Sequence, residues 1–467
     1  MIKNIQNSKT YRCGTLVYTK MGLISLFSWL LWGDFCYILM EKVVPTLVPL
    51  KLKEMGFSAT VMGAMMVTIP SVLNFTITPM VSYQSDRCRS HWGRRIPYIL
   101  ASTPFVALLL VMIGYSKPLG ELLIGLIPFE LSSTTFFVVW MGFLLTFFQF
   151  FNMFVSSVFY YLFNDVVPPE LIGRFTSLFR MISYFASGLY NLYIFKHAET
   201  HMTEIFVGIS IIYLISFIMM GLKVKEGQYP EIISEIENPP RFLEKVQSYF
   251  KDCFFHPIYR NVYAGHVTWY LGTMINGAFL LLSAQSFGFN LEQYGKISAT
   301  SEIFCAFLFI PLGWAVDRFH PIRIMMIGTV WYFLSMTMRL LFFFGIFSGN
   351  HLFVLWGFVF MLVDIGGAIY NAAEFPILMK LFPKKFYGQF CSAMSMVRAI
   401  FLSVGGILAG LFLDYIQRTF QLEGGRQYQL IPLWSMLFSV LNFVFIFRAY
   451  TLWKKLGGDH TYHPPLR

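Results

Sequence analysis

The feature that most constrains the fold of this chain is a series of long apolar runs separated by short charged segments. Of the 467 residues, 56% are hydrophobic and only 13% are charged, against about 25% charged residues in a soluble globular protein. A membrane-spanning helix needs about 20 apolar residues. Twelve runs have that character: 22–49, 58–80, 97–115, 134–163, 173–195, 203–222, 260–284, 294–315, 322–347, 351–379, 387–413 and 430–452. We therefore predict an all-α membrane protein with 12 transmembrane helices.

The loop at residues 82–97 sets the predicted orientation. It places four arginines between two apolar runs, and short loops rich in Lys and Arg stay on the cytoplasmic side. With both termini on that side, 24 Lys and Arg residues fall in predicted cytoplasmic segments and seven in predicted external segments. We expect cytoplasmic termini and a multi-pass protein of the cell (inner or plasma) membrane. The net charge of +11 is then a topology signal, so no nucleic-acid partner is expected.

The longest loop divides the chain into two halves with six predicted spans each. The predicted domains are an N-terminal six-helix bundle at 1–222, a cytoplasmic linker at 223–259 and a C-terminal six-helix bundle at 260–467. Within the linker, residues 241–250 place four apolar side chains on one helical face, which is typical of an amphipathic helix at the membrane interface. A partly ordered linker is the alternative interpretation.

The two halves contain related motifs at matching places. The second loop has Asp86-Arg87, with further arginines behind them, and the eighth loop has Asp317-Arg318 followed by Arg323. The fourth and tenth loops each have a proline five residues before a glycine, followed by an aligned Phe and Ser. Two such matches predict an internal repeat, which is found in many secondary transporters.

The string Ser85-Asp-Arg-Cys-Arg-Ser-His-Trp-Gly-Arg-Arg-Ile-Pro97 resembles the signature loop of the major facilitator superfamily. It is most similar to the glycoside–pentoside–hexuronide and sucrose-type sugar symporters. The resemblance implies two six-helix bundles that rock around a central site. It also implies that charged loops hold one state closed, with the following gating residues: Asp86, Arg87, Arg94, Arg95, Gly313, Asp317, Arg318 and Arg323.

The chain departs from the family pattern in three places. Ser82 replaces the usual glycine of the first motif, and only Arg323 follows the Asp-Arg pair of the second motif. Melibiose-type sodium symporters carry acidic residues on their second span, whereas residues 58–80 contain none. This difference favours protons over sodium as the coupling ion.

Ionisable residues within the apolar runs are the candidates for the transport pathway. Each costs roughly 2.5–3.5 kcal/mol to place at the bilayer centre, so such residues usually face a cavity. Asp34, Tyr37 and Glu41 share one helical face because of their spacing. A buried carboxylate has a raised pKa that a nearby arginine lowers, and the same polar groups could hold a hydroxyl-rich solute. The predicted pathway consists of Asp34, Tyr37, Glu41, Gln149, Asn152, Arg180, His266, Asp364, Asn371, Glu374 and Arg398.

Several of these residues have simpler interpretations. His266 could be a hydrogen-bonded packing residue, and Arg180 could be a structural partner of Asp165 near the fourth loop. Gln149 and Asn152 could join helices by hydrogen bonds. These alternatives stay open on the sequence alone.

The sequence favours a proton-coupled symporter of a sugar or glycoside that acts as a monomer in the lipid bilayer. The alternatives are a carrier of organic anions or nucleosides, a drug or metabolite antiporter, and a transporter-like sensor. No catalytic motif appears, and the six cysteines show no metal-ligand spacing. We therefore expect neither an enzyme nor a cofactor or metal site.

Overall fold

The structure is a computed structural model. It describes residues 11–125, 132–168, 171–228, 251–346, 349–383 and 387–465. A two-stranded hairpin begins this part of the chain, with β1 at Tyr11–Cys13 paired antiparallel to β2 at Leu16–Tyr18. Gly14 turns the hairpin with a φ of +54°, which glycine adopts without steric cost. The predicted amphipathic helix at 241–250 lies outside the described residues.

The rest of the described chain is helical. The first half contains α1 (Lys20–Glu54), α2 (Ala59–Gly63), α3 (Ile69–Arg87), α4 (Ile96–Gly114), α5 (Ser116–Ile124), α6 (Ser133–Val166), α7 (Ile172–Leu189) and α8 (Met202–Lys223). The second half contains α9 (Pro257–Ser286), α10 (Leu291–Phe319), α11 (Pro321–Leu340), α12 (Gly349–Leu381), α13 (Tyr387–Thr419), α14 (Ile431–Lys455) and α15 (Gly458–Thr461). A π-helical turn at Ala64–Thr68 joins α2 to α3, and another at Tyr190–Ile194 extends α7.

Eleven helical segments of the described chain are long and apolar enough to cross a membrane. The predicted fifth span at 173–195 is not one of them. It corresponds to the 18 residues of α7 and the π-helical turn that follows. Two arginines and several hydroxyl side chains dilute the apolar character of this stretch. The structure thus supports a mostly helical membrane protein, with one candidate span fewer than the twelve predicted.

The chain folds into two compact units. The first unit contains Met1–Val48 and Thr76–Ser234, and the second contains Pro49–Phe75 and Glu235–Arg467. The segment at 49–75 groups with the second unit because α2 and its π-helical turn pack on α13. Asp414 of α13 accepts hydrogen bonds from the backbone N–H and the hydroxyl of Thr60, at 3.0 and 2.5 Å. A Cβ on Gly406 would lie 2.7 Å from the carbonyl oxygen of Gly63, so the two backbones touch.

Each unit has an aromatic core. In the first unit, Phe163 packs against Phe159, Phe175 and Phe179, with ring centroids 4.7–5.0 Å apart. In the second unit, Trp269 stacks on Tyr370 at 3.7 Å. Burial of such side chains contributes about 1.5–3 kcal/mol each, so these clusters hold the helices that carry the polar residues.

Candidate functional site

Asp34 is the most deeply placed acid of the first unit. It lies in the middle of α1 and is fully buried. Ser183 of α7 donates a hydrogen bond to Asp34 Oδ2 at 2.7 Å. The other carboxyl oxygen, Oδ1, is buried and has no hydrogen-bond partner among the described residues. One acceptor of this carboxyl group is therefore open to a donor that the described residues do not supply.

Three further predicted residues of the first unit lie around the same helix. Tyr37 is buried and hydrogen-bonds to Glu41, whose side chain is exposed. Arg180 of α7 interacts electrostatically with both Asp34 and Glu41. The structure thus brings two acids of α1 and one arginine of α7 into one network, and Tyr37 joins it through its hydrogen bond to Glu41.

Two amides of α6 complete the polar residues predicted in the first unit. Asn152 is buried, and in the described part of the chain its Oδ1 atom receives no hydrogen bond. Gln149 lies one turn earlier and is half-buried. Asn152 therefore adds a second buried acceptor that is open to an added donor.

The second unit contains a compact polar cluster built from α9, α12 and α13, which we call the His266 cluster. It consists of His266, Tyr270, Glu374 and Arg398. His266 Nδ1 lies 3.2 Å from Glu374 Oε1, and the Tyr270 hydroxyl donates to the same oxygen at 2.9 Å. Arg398 lies over the Tyr270 ring at 4.6 Å and places its Nη1 atom 3.4 Å from His266 Nε2.

The geometry of this cluster fixes the position of the proton on His266. An arginine can only donate, so His266 Nε2 must accept from Arg398. The imidazole proton is therefore on Nδ1, where it donates to Glu374. A neutral histidine thus connects a cation to a carboxylate, and Tyr270 binds both of them. Sequence reasoning missed Tyr270, although it lies one helical turn after His266.

The two other residues predicted on α12 do not join the His266 cluster. Asp364 accepts a hydrogen bond of 2.5 Å from Ser301 of α10, and it interacts electrostatically with Arg339. It precedes Glu374 by ten residues, which is about 15 Å along a helix. Asn371 is exposed. The acids of α12 therefore belong to two separate polar groups.

Arg339 is the centre of that second polar group. It is buried and donates to Asn276 Oδ1 at 3.2 Å and to Ser283 at 3.4 Å. Its guanidinium also lies over the ring of Trp356 at 5.6 Å. These contacts satisfy a buried cation inside the second unit and suit a structural role.

Two of the predicted gating arginines converge on one acid. Arg94 Nε donates to Asp165 Oδ2 at 2.8 Å, and Arg95 Nε donates to the same atom at 3.0 Å. Arg94 Nη2 also contacts Asp165 Oδ1. Asp165 thus pairs with Arg94 and Arg95, whereas Arg180 interacts with the acids of α1. The side chains of Asp86 and Arg87 lie outside the described part of the structure.

Glu226 holds the same loop through its backbone. Its carboxylate accepts hydrogen bonds from the N–H groups of Arg94, Arg95 and Ile96 at 2.7–2.9 Å. The first N–H groups of a helix have no partner within the helix, so Glu226 caps the start of α4. Sequence reasoning missed Asp165 as this partner and Glu226 as the cap. Each acid follows a predicted span at the same membrane side as the basic loop, and this position was the signal that could have suggested a pairing.

The second gating loop is arranged differently. Arg318 lies over the ring of Trp314 at 5.0 Å, and Arg323 pairs with Asp459 at 2.6 Å. Gly313 is exposed within α10, with open space where a Cβ would stand. The Asp317 side chain is not among those that the structure describes. The matching sequence motifs therefore have different partners in the two halves.

His320 links α10 to α11 with a backbone that histidine rarely adopts. Its φ is +67°, and its ring stacks on Trp453 at 4.3 Å. The pKa of His320 is lowered to about 4, mainly by burial and also by the nearby Lys380 and Arg323, while Asp459 opposes this shift. The ring is therefore neutral at physiological pH. Among the described residues, no group of three or more His, Cys, Asp or Glu side chains could hold a metal ion.

Known proteins resemble this chain in sequence and in fold. Residues 262–455 match the model of the Major Facilitator Superfamily. A bacterial homologue of the human lysosomal transporter Spinster, inward-facing and unoccupied, superposes with a TM-score of 0.67 at 11% identity and covers 94% of this chain and 99% of its own. The nucleoside transporter NupG gives a TM-score of 0.61 at 14% identity over 92% of this chain and 99% of its own. At such identities the likeness shows the fold.

Curated relatives match over short stretches. The sucrose transport protein SUT1 of Oryza sativa subsp. japonica is 43% identical over 49 residues, which is 10% of this chain and 9% of that protein. Human solute carrier family 45 member 4 is 32% identical over 98 residues, or 21% of this chain and 12% of that protein. The chain therefore matches only about a tenth of the length of these relatives.

The fold and the candidate spans describe a multi-pass membrane protein that has the fold of known transporters. The family model matches residues 262–455 directly, and the solved structures share the fold over more than nine-tenths of the chain.

Proposed function

We propose that this protein couples proton movement to the symport of a sugar or glycoside by alternating access. The observation that carries the substrate class is the pair of buried acceptors, Asp34 Oδ1 and Asn152 Oδ1, which lack hydrogen-bond partners in the described part of the chain. Nearly all buried polar groups are hydrogen-bonded in folded proteins. A solute with several hydroxyl donors would satisfy both atoms, and a sugar is such a solute.

The short matches to a plant sucrose transport protein support the same substrate class. An organic anion has the opposite requirement, because it needs donors rather than acceptors. In the His266 cluster the guanidinium of Arg398 is already directed at His266 and the ring of Tyr270. The orphan acceptors thus favour a neutral polyol over an anion.

The His266 cluster supports proton coupling. Glu374 receives donors from His266 and Tyr270, and Arg398 approaches the other side of the imidazole. The proton affinity of a buried carboxylate depends strongly on its neighbouring cations and donors. A movement that separates Arg398 from His266 would change the proton affinity of Glu374. In the first unit, Arg180 stands in a similar electrostatic relation to Asp34.

The proposal also includes the predicted topology. The two bundles at 1–222 and 260–467 are joined by a cytoplasmic linker, and both termini lie in the cytoplasm of a monomeric plasma- or inner-membrane protein. The loop arginines that bind Asp165 then act at the cytoplasmic end as gating residues rather than as substrate contacts.

Uptake into liposomes tests this function. The purified protein is reconstituted, an inward proton gradient is imposed, and uptake of labelled mono- and disaccharides, nucleosides and organic anions is measured. We expect uptake of at least one sugar that collapses when the gradient is removed. Asp34→Asn should abolish sugar-driven proton entry because it removes the carboxyl group that would bind the proton but preserves the size of the side chain.

Glu54→Gln is the matched control, since it makes the same change at the exposed end of the same helix. It should transport like the unmodified protein, and both variants should elute as monodisperse species. Normal proton-coupled uptake by Asp34→Asn would remove Asp34 from the mechanism. Uptake of anions alone, with no sugar transported, would overturn the substrate class.

A further inference from the structure

An apolar groove runs along the second unit, outside the His266 cluster. It lies between α9, α13 and α14 and has a volume of about 580 Å³. Phe401 and Val404 of α13 line it and are 53% and 54% exposed, so the groove is open along one side. It is thus a separate feature from the buried polar residues of the proposed transport site.

The length of the groove can be compared with the thickness of a bilayer. On α9 its lining runs from Arg260 to Leu271, eleven residues or about 16 Å. Half of a hydrocarbon core is about 15 Å thick. Trp434 of α14 marks the deep end, since its indole N–H donates to the carbonyl of Leu271 at 2.8 Å. The groove is therefore as long as one leaflet is thick.

The walls of the groove suit a hydrocarbon chain. Apart from Arg260 at its mouth, the lining is dominated by aliphatic and aromatic side chains. Two of its polar groups are already satisfied within the protein, because the Thr268 hydroxyl donates to Ala264 at 2.8 Å and the Trp434 indole donates to Leu271. A polar solute would find little to bind along this wall, whereas an acyl chain would bury apolar surface against it.

The mouth of the groove is positively charged. Arg260 lines it and is exposed. Lys251 and Arg448 are also exposed, and each is three residues from a lining residue at this end, Phe254 and Phe445. Residues three apart in a helix lie on the same side. One cation therefore lines the end of the groove at which a lipid headgroup would lie, and two more lie within one helical turn of lining residues.

We propose that this groove is a binding site for an anionic phospholipid. One acyl chain lies between α13 and α14 and reaches Trp434, and the headgroup phosphate lies against Arg260, with Lys251 and Arg448 beside it. On the predicted topology this end faces the cytoplasm, where anionic lipids are concentrated in the leaflet. The inference is independent of the transported substrate.

Lipid titration with native mass spectrometry tests the proposal on the delipidated full chain. Phosphatidylglycerol and phosphatidylcholine with identical acyl chains are the probes. Each basic residue near a membrane surface contributes about 1 kcal/mol toward anionic lipid, or about fivefold in affinity. We expect the protein to bind phosphatidylglycerol more tightly by at least that factor. Arg260→Gln should weaken phosphatidylglycerol binding about fivefold and phosphatidylcholine binding less, because the choline cation offsets the charge of the phosphate.

Two further variants test the apolar groove separately from the charged mouth. Val404→Trp fills the groove and should weaken both lipids, whereas Lys455→Gln removes an exposed cation at the same end of α14 and should change neither. Phosphatidylglycerol brominated on its acyl chains should also quench the protein fluorescence less after Trp434→Phe, because Trp434 would touch the chain.

Three outcomes would overturn the proposal. These are equal affinity for the two lipids, unchanged preference in Arg260→Gln, and displacement of the bound lipid by inorganic phosphate alone. The last outcome would identify a simple anion site at the mouth. A monodisperse Arg260→Gln protein keeps the test decisive even if Val404→Trp fails to fold, because Arg260 is exposed.

Discussion

The pairing of Arg94 and Arg95 with Asp165 gives a prediction whose size follows from burial. Asp165→Asn removes the carboxylate on which both arginines converge. The side chains of Asp165 and Arg95 are 8% and 6% exposed, and that of Arg94 is 21% exposed. Removing one partner of a buried ion pair costs roughly 3–5 kcal/mol because a charge is left buried without its counterion. Since Arg94 is partly exposed, we expect a loss of about 3 kcal/mol in the free energy of unfolding, or about 150-fold in the equilibrium constant.

Asp459 provides the matched control within the same protein. It pairs with Arg323 at 2.6 Å, and both side chains are 39% exposed. Exposed pairs contribute about 0–1 kcal/mol, so Asp459→Asn should cost less than about 1 kcal/mol. The free energy of unfolding of both variants is measured by equilibrium titration with denaturant in mixed micelles. Tryptophan fluorescence reports the unfolded fraction. Equal losses for the two variants would refute the reasoning from burial.

Two further predictions concern backbone contact and pH. Gly406→Ala should lower the free energy of unfolding by about 1–3 kcal/mol, because its Cβ would lie 2.7 Å from the carbonyl oxygen of Gly63. The control Gly367→Ala has open space for its Cβ and should raise the free energy of unfolding by up to about 1 kcal/mol. Equal effects of the two substitutions on the denaturation midpoint would contradict this. The pKa of His320 is lowered to about 4, mainly by burial, so the unfolded chain binds the proton more readily than the folded protein. The free energy of unfolding should therefore be constant above about pH 6.5 and fall by about 2–3 kcal/mol towards pH 4. His320→Asn should flatten this fall and the exposed His351→Asn should not, and a slope unchanged in His320→Asn would exclude His320 as its source.

Hydropathy and loop charge predicted the helical membrane architecture, because a span must be long and apolar wherever it lies in the bundle. The stretch at 173–195 shows the limit of that signal. Its helix contains Arg174 and Arg180 among polar residues, so its apolar content alone does not distinguish it from an interior helix. The break of α2 by a π-helical turn also depends on packing against α13 and could not be predicted from the sequence.

The candidate site was predictable by residue type but not by partner. Spacing along one helix placed Asp34, Tyr37 and Glu41 together because their separation is fixed by helix geometry. Partners on different helices are not fixed in this way. Asp165 is 71 positions from Arg94, and Asp364 and Glu374 occur on one helix yet contact different groups. Contacts between helices depend on crossing geometry, which a single sequence does not specify.

The contact between Glu226 and the start of α4 has a consequence for dividing the chain. The first half would carry its own helix cap only if the break came after Glu226. Thr15 of the N-terminal hairpin also accepts a hydrogen bond from the backbone of Gln228 at 2.9 Å. A split version expressed as two polypeptides should therefore be cut beyond Gln228. A cut at the end of α8 would separate the first half from the Glu226 carboxylate that caps α4 and from the backbone N–H that binds the hairpin.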